Sequence, residues 1–323
     1  MPAPGGPPRL GVTTFTIEGR SAPALFVVGW LASIVGSGLV AVGVLSGGGV
    51  ATLGLIVAGL ALLSIGLIAA AGSQGIERRA RGVATYTGPS PLLVFAASIP
   101  VSILAVIAVG LPLGLAGIAL DGPFGALLSV VVQAVVYLAL IRLLVVDTGA
   151  LDWRAMGVRA IDRSAVVEML GGAFWALPVI FVTVLVSAIL LAIFPVNPES
   201  PLPPTGEAVG FALSLLAGAL VAPFGEEILF RAFATTAWVR GVGRRQGVIR
   251  AAMVFAVAHV LTTSGTSAGD ALGLAVVGFG TRIPIALALG WLFVRRGTVW
   301  SSFGLHAAFN AVLLVIAEAY RPI

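Results

Sequence analysis

Long apolar segments follow one another along almost the whole chain, and they limit its fold more than any other feature. An α-helix rises about 1.5 Å per residue, so about 20 apolar residues cross a hydrocarbon core of about 30 Å. Nine segments approach or exceed this length: 22–45, 50–72, 92–119, 124–146, 168–194, 208–239, 248–263, 271–294 and 299–319. With 59% hydrophobic and 10% charged residues, a water-soluble fold could not cover its apolar surface. We predict an all-α, polytopic transmembrane bundle of about nine spans.

The charged residues between these segments predict the orientation of the chain. All 18 basic residues are arginines, and most lie in every second loop. These arginine clusters are Arg78, Arg79 and Arg81; Arg154, Arg159 and Arg163; Arg240, Arg244, Arg245 and Arg250; and Arg295 with Arg296. The alternate loops carry only acidic residues, namely Asp121, Glu199, Glu207 and Asp270. Because cytoplasmic loops are rich in basic residues, we predict a multi-pass cell-membrane protein with a cytoplasmic N-terminus and an outer C-terminus. Arg282 and Arg321 depart from this pattern.

The chain divides into four predicted regions. Residues 1–21 are rich in Pro and Gly without an apolar run, which predicts a disordered cytoplasmic tail rather than a signal peptide. Residues 22–146 form a four-span N-terminal accessory region, through which a membrane protein partner could dock. Residues 147–167 form a basic, amphipathic juxtamembrane segment at the inner surface. Residues 168–323 form a five-span core.

Polar side chains inside the predicted spans are concentrated in this core. They are Glu226, Glu227, Arg231, His259, Arg282, His306 and Asn310, and they include both histidines of the chain. Counted along straight helices from the inner ends, His306 lies about 10 Å deep, His259 about 13 Å, Asn310 about 16 Å and Glu226 about 20 Å. Charged groups inside a bilayer usually face one another or a wet cavity. We therefore predict one polar chamber that is open to the cytoplasmic side.

The spacing of these residues supports a common site. Glu227 and Arg231 are four residues apart, as are His306 and Asn310, so each pair lies on one helix face. Taken alone, the first pair is more often a structural ion pair, and the second could simply join two helices. Together, the carboxylates, imidazoles, carboxamide and guanidinium could activate a water molecule and stabilise an oxyanion.

Three motifs in these segments resemble those of the CPBP family, which comprises CAAX proteases and bacteriocin-processing enzymes and is also called Abi. The family pattern is EExxxR, FxxxH and HxxxN on successive membrane helices. The chain contains EEILFR at 226–231, FAVAH at 255–259 and HAAFN at 306–310. The resemblance covers about 205–315, and LDWRAMGVR at 151–159 is similar to the basic segment that often precedes this core.

The resemblance implies intramembrane proteolysis, with an activity similar to that of type II CAAX prenyl endopeptidases. Glu226 would be the general base that deprotonates water, and His259 would orient that water. His306 and Asn310 would donate hydrogen bonds to the tetrahedral oxyanion.

Three further residues are expected to support this site. Glu227 and Arg231 would hold the helix geometry, and Phe255 stands one helical turn before His259. Arg282 lies outside the family motifs, about 20 Å deep on a straight helix, at the level of Glu226. It is either a structural partner of the two glutamates or a group that binds a substrate carboxylate or backbone carbonyl.

The sequence leaves some chemical and functional alternatives open. A glutamate-activated water requires no cofactor, and zinc is the alternative, although HExxH is absent and Asn is a poor zinc ligand. The expected partners are the lipid bilayer and a peptide or membrane-protein substrate. Nucleic acid is not expected, because the arginines lie in short loops.

A non-catalytic scaffold or bacteriocin-immunity-type partner protein is the main alternative function. A transporter should have polar groups in both halves of the chain, which this sequence lacks.

Overall fold

The protein is an all-helical bundle in the part of the chain that its computed structural model describes, namely residues 17, 19–82, 85–198, 203–261 and 263–320. Ten helices follow in chain order: α1 Pro23–Leu45, α2 Val50–Arg81, α3 Pro91–Leu115, α4 Pro123–Val146, α5 Arg163–Ala173, α6 Ala176–Ile193, α7 Ala208–Val242, α8 Arg244–Ala258, α9 Ala268–Arg296 and α10 Val299–Ala319. These described residues contain no β-strand. The predicted polytopic helical bundle is confirmed.

Proline and glycine set several of the helix boundaries. Pro23, Pro91 and Pro123 occupy the first turns of α1, α3 and α4, where the missing N–H costs no hydrogen bond. At the other end, α2 and α9 stop at Gly82 and Gly297, whose φ angles of 65° and 67° are left-handed. Such a conformation is unfavourable for residues with a Cβ atom, so both helices end where glycine allows the turn.

Eight of the nine predicted segments form helices, single or paired, that are long and apolar enough to cross a membrane. The fifth consists of α5 and α6 together, Arg163–Ile193, and it begins five residues before the predicted start at 168. The predicted span 248–263 is different, because α8 has only 15 residues and ends at Ala258. Ser, Thr and Gly dominate the sequence that follows, LTTSGTS, and these residues favour turns over helix.

The chain nevertheless continues alongside α9 after α8 ends. A Cβ atom at Gly290 would lie 2.9 Å from Val248, and one at Gly278 would lie 3.1 Å from Val260. These two contacts fit one antiparallel register, in which α8 covers the second half of α9 and the following residues lead back towards Ala268. The seventh segment therefore combines a short helix with a non-helical stretch.

α7 is the central helix, and it contains two π-helical stretches, Leu216–Val221 and Glu227–Thr235. Their wider turns flank the short α-helical turn Ala222–Glu226. π-Helical insertions within α-helices are often found at functional sites. α7 is held by close packing: a Cβ atom at Gly225 would lie 2.9 Å from the Cβ atom of Ala134 in α4.

The segment between α4 and α5 packs against the beginning of α10. Met156 is fully buried, the N–H of Val299 donates to the carbonyl of Gly157 at 3.1 Å, and the indole N–H of Trp300 donates to the carbonyl of Arg159 at 3.0 Å.

The predicted disordered tail 1–21 lies mostly outside the described residues. Arg20, near its end, binds both carboxylate oxygens of Glu77 at 2.9 and 2.8 Å. The division into four regions stays a prediction.

Candidate active site

The two adjacent glutamates of α7 face different neighbours. Glu226 ends the α-helical turn and Glu227 begins the second π-helical stretch, so the helix directs the two carboxylates to different sides. The side chain of Glu226 is 18% exposed, whereas that of Glu227 is completely buried. One carboxylate can therefore meet a molecule from outside the bundle, and the other can act only within it.

Glu226 lies beside both histidines. Its Oε2 atom is 3.9 Å from Nε2 of His259 and 3.7 Å from Nε2 of His306. Both separations are too long for a direct hydrogen bond and short enough for a small molecule to contact all three atoms. The structure thus brings together the three residues that the motifs assign to water activation and oxyanion binding, from α7, the end of α8 and α10.

Hydrogen bonds on the far side of each imidazole fix its tautomer. Nδ1 of His259 lies 2.8 Å from the carbonyl oxygen of Phe255, which can only accept, so Nδ1 carries a proton. Nδ1 of His306 lies 2.9 Å from Oε1 of Glu227, whose carboxylate also accepts. When either imidazole is neutral, its Nε2 atom therefore presents a lone pair towards Glu226.

Glu227 and Arg231 form the buried support of the site. Nε of Arg231 lies 3.5 Å from Oε2 of Glu227, and the two side chains are 2% and 0% exposed. The guanidinium also stacks on the ring of Phe255, 4.3 Å from its centroid. Phe255 in turn contacts both imidazoles, with ring centroids 4.4 Å from His259 and 5.8 Å from His306. The ion pair and the aromatic ring together fix the positions of the two histidines.

Asn310 connects α10 to the first π-helical stretch of α7. Its Nδ2 atom donates to the carbonyl oxygen of Gly218 at 2.8 Å. A carboxamide has two N–H bonds, so this hydrogen bond uses only one of them.

Arg282 lies on α9 near the same site. Its Nη1 atom contacts Oγ1 of Thr281 at 3.4 Å, and its charge interacts electrostatically with Glu226 and His259. Within the described part of the chain it forms no ion pair shorter than 4 Å. Its positive charge therefore acts on Glu226 and His259 without a direct ion pair.

Two neighbours of the site lie on residues that the motifs do not indicate. The first is Tyr137 of α4, which is buried, interacts electrostatically with Glu226, and has a ring atom 3.6 Å from the position of a Cβ atom at Gly225. The second is the backbone carbonyl of Gly218. A tyrosine in an apolar segment is usually a packing residue, and every residue has a backbone carbonyl. The sequence alone therefore does not mark either group as part of a site.

Within the described residues, no cluster of three or more His, Asp or Glu side chains is arranged to hold a metal ion. Glu226, His259 and His306 are the residues that would contribute donors if a cation were bound.

Fold and site together define a polytopic helical membrane protein with a carboxylate–imidazole centre between its helices. Residues 208–312 match the family model described as type II CAAX prenyl endopeptidase Rce1-like. The matched region contains all three motifs and confirms the resemblance that they indicate. It supports a membrane hydrolase of the CAAX protease-like type. No curated protein and no solved structure shows a significant match to the chain.

Proposed function

We propose that the protein is an intramembrane endopeptidase that hydrolyses a peptide bond near the cytoplasmic membrane face. The observation that carries this proposal is the position of the Glu226 carboxylate, which faces the Nε2 atoms of His259 and His306 at 3.9 and 3.7 Å. Oε2 of Glu226 and the unprotonated Nε2 atom of His259 are two acceptors that face each other, which favours a small donor between them, and water is such a donor.

In the proposed reaction, the water oxygen attacks the substrate carbonyl carbon while Glu226 takes one water proton. Nε2 of His259 accepts the other O–H and so orients the attacking lone pair. The tetrahedral intermediate then collapses, the C–N bond breaks, and protonated Glu226 returns its proton to the leaving amine nitrogen. Atoms and charge balance, and the products are a carboxylic acid and an amine.

The oxyanion of the intermediate would be held by His306 and Asn310. As a doubly protonated imidazolium, His306 would donate from Nε2 while its Nδ1–H donates to the Glu227 carboxylate. Asn310 would donate with the amide N–H that does not bind Gly218. Arg282 would bind a substrate carboxylate or backbone carbonyl, since its charge acts on Glu226 without a direct ion pair.

The site would be reached through a polar chamber on the cytoplasmic side. Partial exposure of Glu226 and His259, at 18% and 27% of their side chains, is compatible with such an opening. The arginine-rich loops at the ends of α2, α7 and α9 support the proposed orientation, with the N-terminus inside and the C-terminus outside. The substrates would be peptides or membrane proteins, and α1 to α4 could bind a membrane protein partner.

The test is comparative peptidomics of membranes from cells that express the wild type, Glu226→Gln or His306→Ala. Glu207→Gln is the matched control, because Glu207 is exposed and lies at the start of α7. We expect a set of cleavage products in the wild type and the control that both site variants lack. Identical products in all four samples would refute catalysis at this site.

The same variants distinguish the non-catalytic alternative, in which the motifs only support a scaffold or immunity-type protein. That alternative requires Glu226→Gln to keep the cellular phenotype. Metal analysis of the purified protein and activity after chelation separate glutamate-activated water from zinc chemistry. We expect activity to survive chelation.

A further inference from the structure

An apolar groove lies between α6 and α9 on the outer surface of the bundle. Its volume is about 400 Å³, and its walls include Trp175 and Pro178 on one side and Pro284 and Trp291 on the other. Leu305 of α10, only 1% exposed, forms its floor and precedes His306 in the chain. The two tryptophans are 43% and 41% exposed, so the groove opens to the surroundings of the bundle rather than into the site.

The sequence explains why the groove narrows towards one end. Near the start of α9, glycines allow close approach to the end of α6 and the residues after it: a Cβ atom at Gly280 would lie 2.5 Å from Leu190, and one at Gly273 would lie 2.8 Å from Val196. Near the end of α9, bulky side chains replace the glycines, and the small Ala288 leaves space between them. The two helices therefore pack closely through glycines at one end, whereas the large side chains Trp175 and Trp291 bridge the space between them at the other.

The guanidinium of Arg295 lies at the end of the groove that Trp175 and Trp291 line. The rings of Trp175 and Trp291 meet edge to face, with centroids 5.3 Å apart, and the guanidinium of Arg295 lies 5.3 Å from the centroid of Trp291. The neighbouring Arg296 is neutralised by Glu168 through two hydrogen bonds of 2.8 Å. Arg295 is exposed and forms no ion pair with any residue that the structure describes.

We infer that this groove binds one acyl chain of an anionic glycerophospholipid, whose phosphate pairs with the guanidinium of Arg295. Guanidinium groups bind phosphate oxygens in two-pronged geometry, and tryptophans are enriched at the depth of lipid headgroups. A volume of about 400 Å³ holds roughly a dozen methylene groups, if each occupies about the 30 Å³ of a water molecule. The inference does not depend on the proposed protease activity.

Charge complementarity selects this occupant over a protein partner or a substrate. A groove without polar walls gives a peptide backbone no hydrogen-bond partner, and each unsatisfied group would cost several kcal/mol in lipid. An acyl chain has no such groups. Among the residues that the structure describes beside Trp291, Arg295 carries a positive charge that no ion pair neutralises. Leu305 separates the groove from the site.

The test is native mass spectrometry of the purified full chain in mild detergent. The probes are phosphatidylglycerol and phosphatidylcholine with identical acyl chains, added in equal amounts. We expect the wild type to retain phosphatidylglycerol about fivefold more strongly, the contribution typical of one arginine near an anionic surface. Arg295→Gln should abolish this preference, and Arg81→Gln, which removes an exposed arginine at the end of α2 that does not line the groove, should keep it.

A second variant tests the chain-binding part of the groove. Ala288→Leu should reduce retention of both lipids by filling the space, and Trp fluorescence should then be quenched less by phosphatidylglycerol with brominated chains. Thermal unfolding shows whether the variant folds. Equal retention of both lipids by the wild type, or equal behaviour of Arg295→Gln and Arg81→Gln, would overturn the inference. So would an Ala288→Leu variant that changes the oligomeric mass but not lipid retention.

Discussion

The buried ion pair between Glu227 and Arg231 offers the sharpest test of how the site is held together. Its atoms lie 3.5 Å apart and the side chains are 0% and 2% exposed. Coulomb's law at an effective dielectric constant of about 20 gives roughly 5 kcal/mol for two unit charges at this distance. Removal of one partner from a buried pair costs about 3–5 kcal/mol, because the remaining charge stays buried without compensation.

We therefore expect Arg231→Met, which keeps the side chain long and apolar, to lower the free energy of unfolding by about 3–5 kcal/mol. The variant also loses the cation–π contact with Phe255. Adding Glu227→Gln removes the uncompensated charge and keeps an oxygen that can accept from Nδ1 of His306. The double variant should consequently unfold at a higher detergent concentration than Arg231→Met alone.

Equilibrium unfolding in mixed micelles with increasing SDS, followed by tryptophan fluorescence, measures this difference. The wild type, both single variants and the double variant form a complete cycle. If the double variant is less stable than Arg231→Met, the charge of Glu227 is not what destabilises the single variant. The ion pair would then not be what stabilises the buried face of α7.

Two further predictions concern single polar groups. Asn310→Ala should reduce the rate of cleavage about 10²–10³-fold, the usual effect of losing one oxyanion donor, while the unfolding midpoint changes little; an equal loss of folded protein would point to the Gly218 contact instead. At the start of α5, the N–H of Ala165 donates to Asp162 and lowers the pKa of that carboxyl. The carboxylate therefore stabilises the first turn of α5 at neutral pH, and this contribution is lost as the pH falls through the lowered pKa. Protection of that turn from hydrogen exchange, relative to the intrinsic exchange rate at the same pH, should fall in acid, and Asp162→Ala should show low protection at every pH.

Helix number and position were largely predictable, because hydropathy over about 20 residues decides whether a segment can cross a bilayer. The predicted boundaries of α1 and α10 agree with the structure to within one residue. The prediction was less accurate for 248–263. Its apolar composition up to Leu261 indicated a span, whereas the following Ser, Thr and Gly residues end α8 at Ala258. Composition measures average hydrophobicity, and it is less sensitive to local hydrogen bonding that ends a helix.

The sequence indicated which residues lie near one another in the candidate site, but not all of the contacts that they make. Similar depths on straight helices indicated that Glu226, His259 and His306 share one chamber, and in the structure Oε2 of Glu226 lies within 4 Å of Nε2 of each histidine. The partner of Asn310 could not be predicted, because the carbonyl of Gly218 belongs to a π-helical stretch. Such stretches depend on packing between helices rather than on local sequence.

The N-terminal spans also take part in the architecture around the site. α4 lies against α7 so closely that Gly225, which precedes Glu226, has no room for a side chain beside Ala134. Phe95 of α3 packs on Phe230, and Phe230 packs on Phe255, with ring centroids 5.7 and 5.2 Å apart. The aromatic ring that supports both histidines is therefore itself held through a span outside the matched region 208–312. A change in α3 or α4 that shifts this packing should alter the position of the histidines without touching any motif residue.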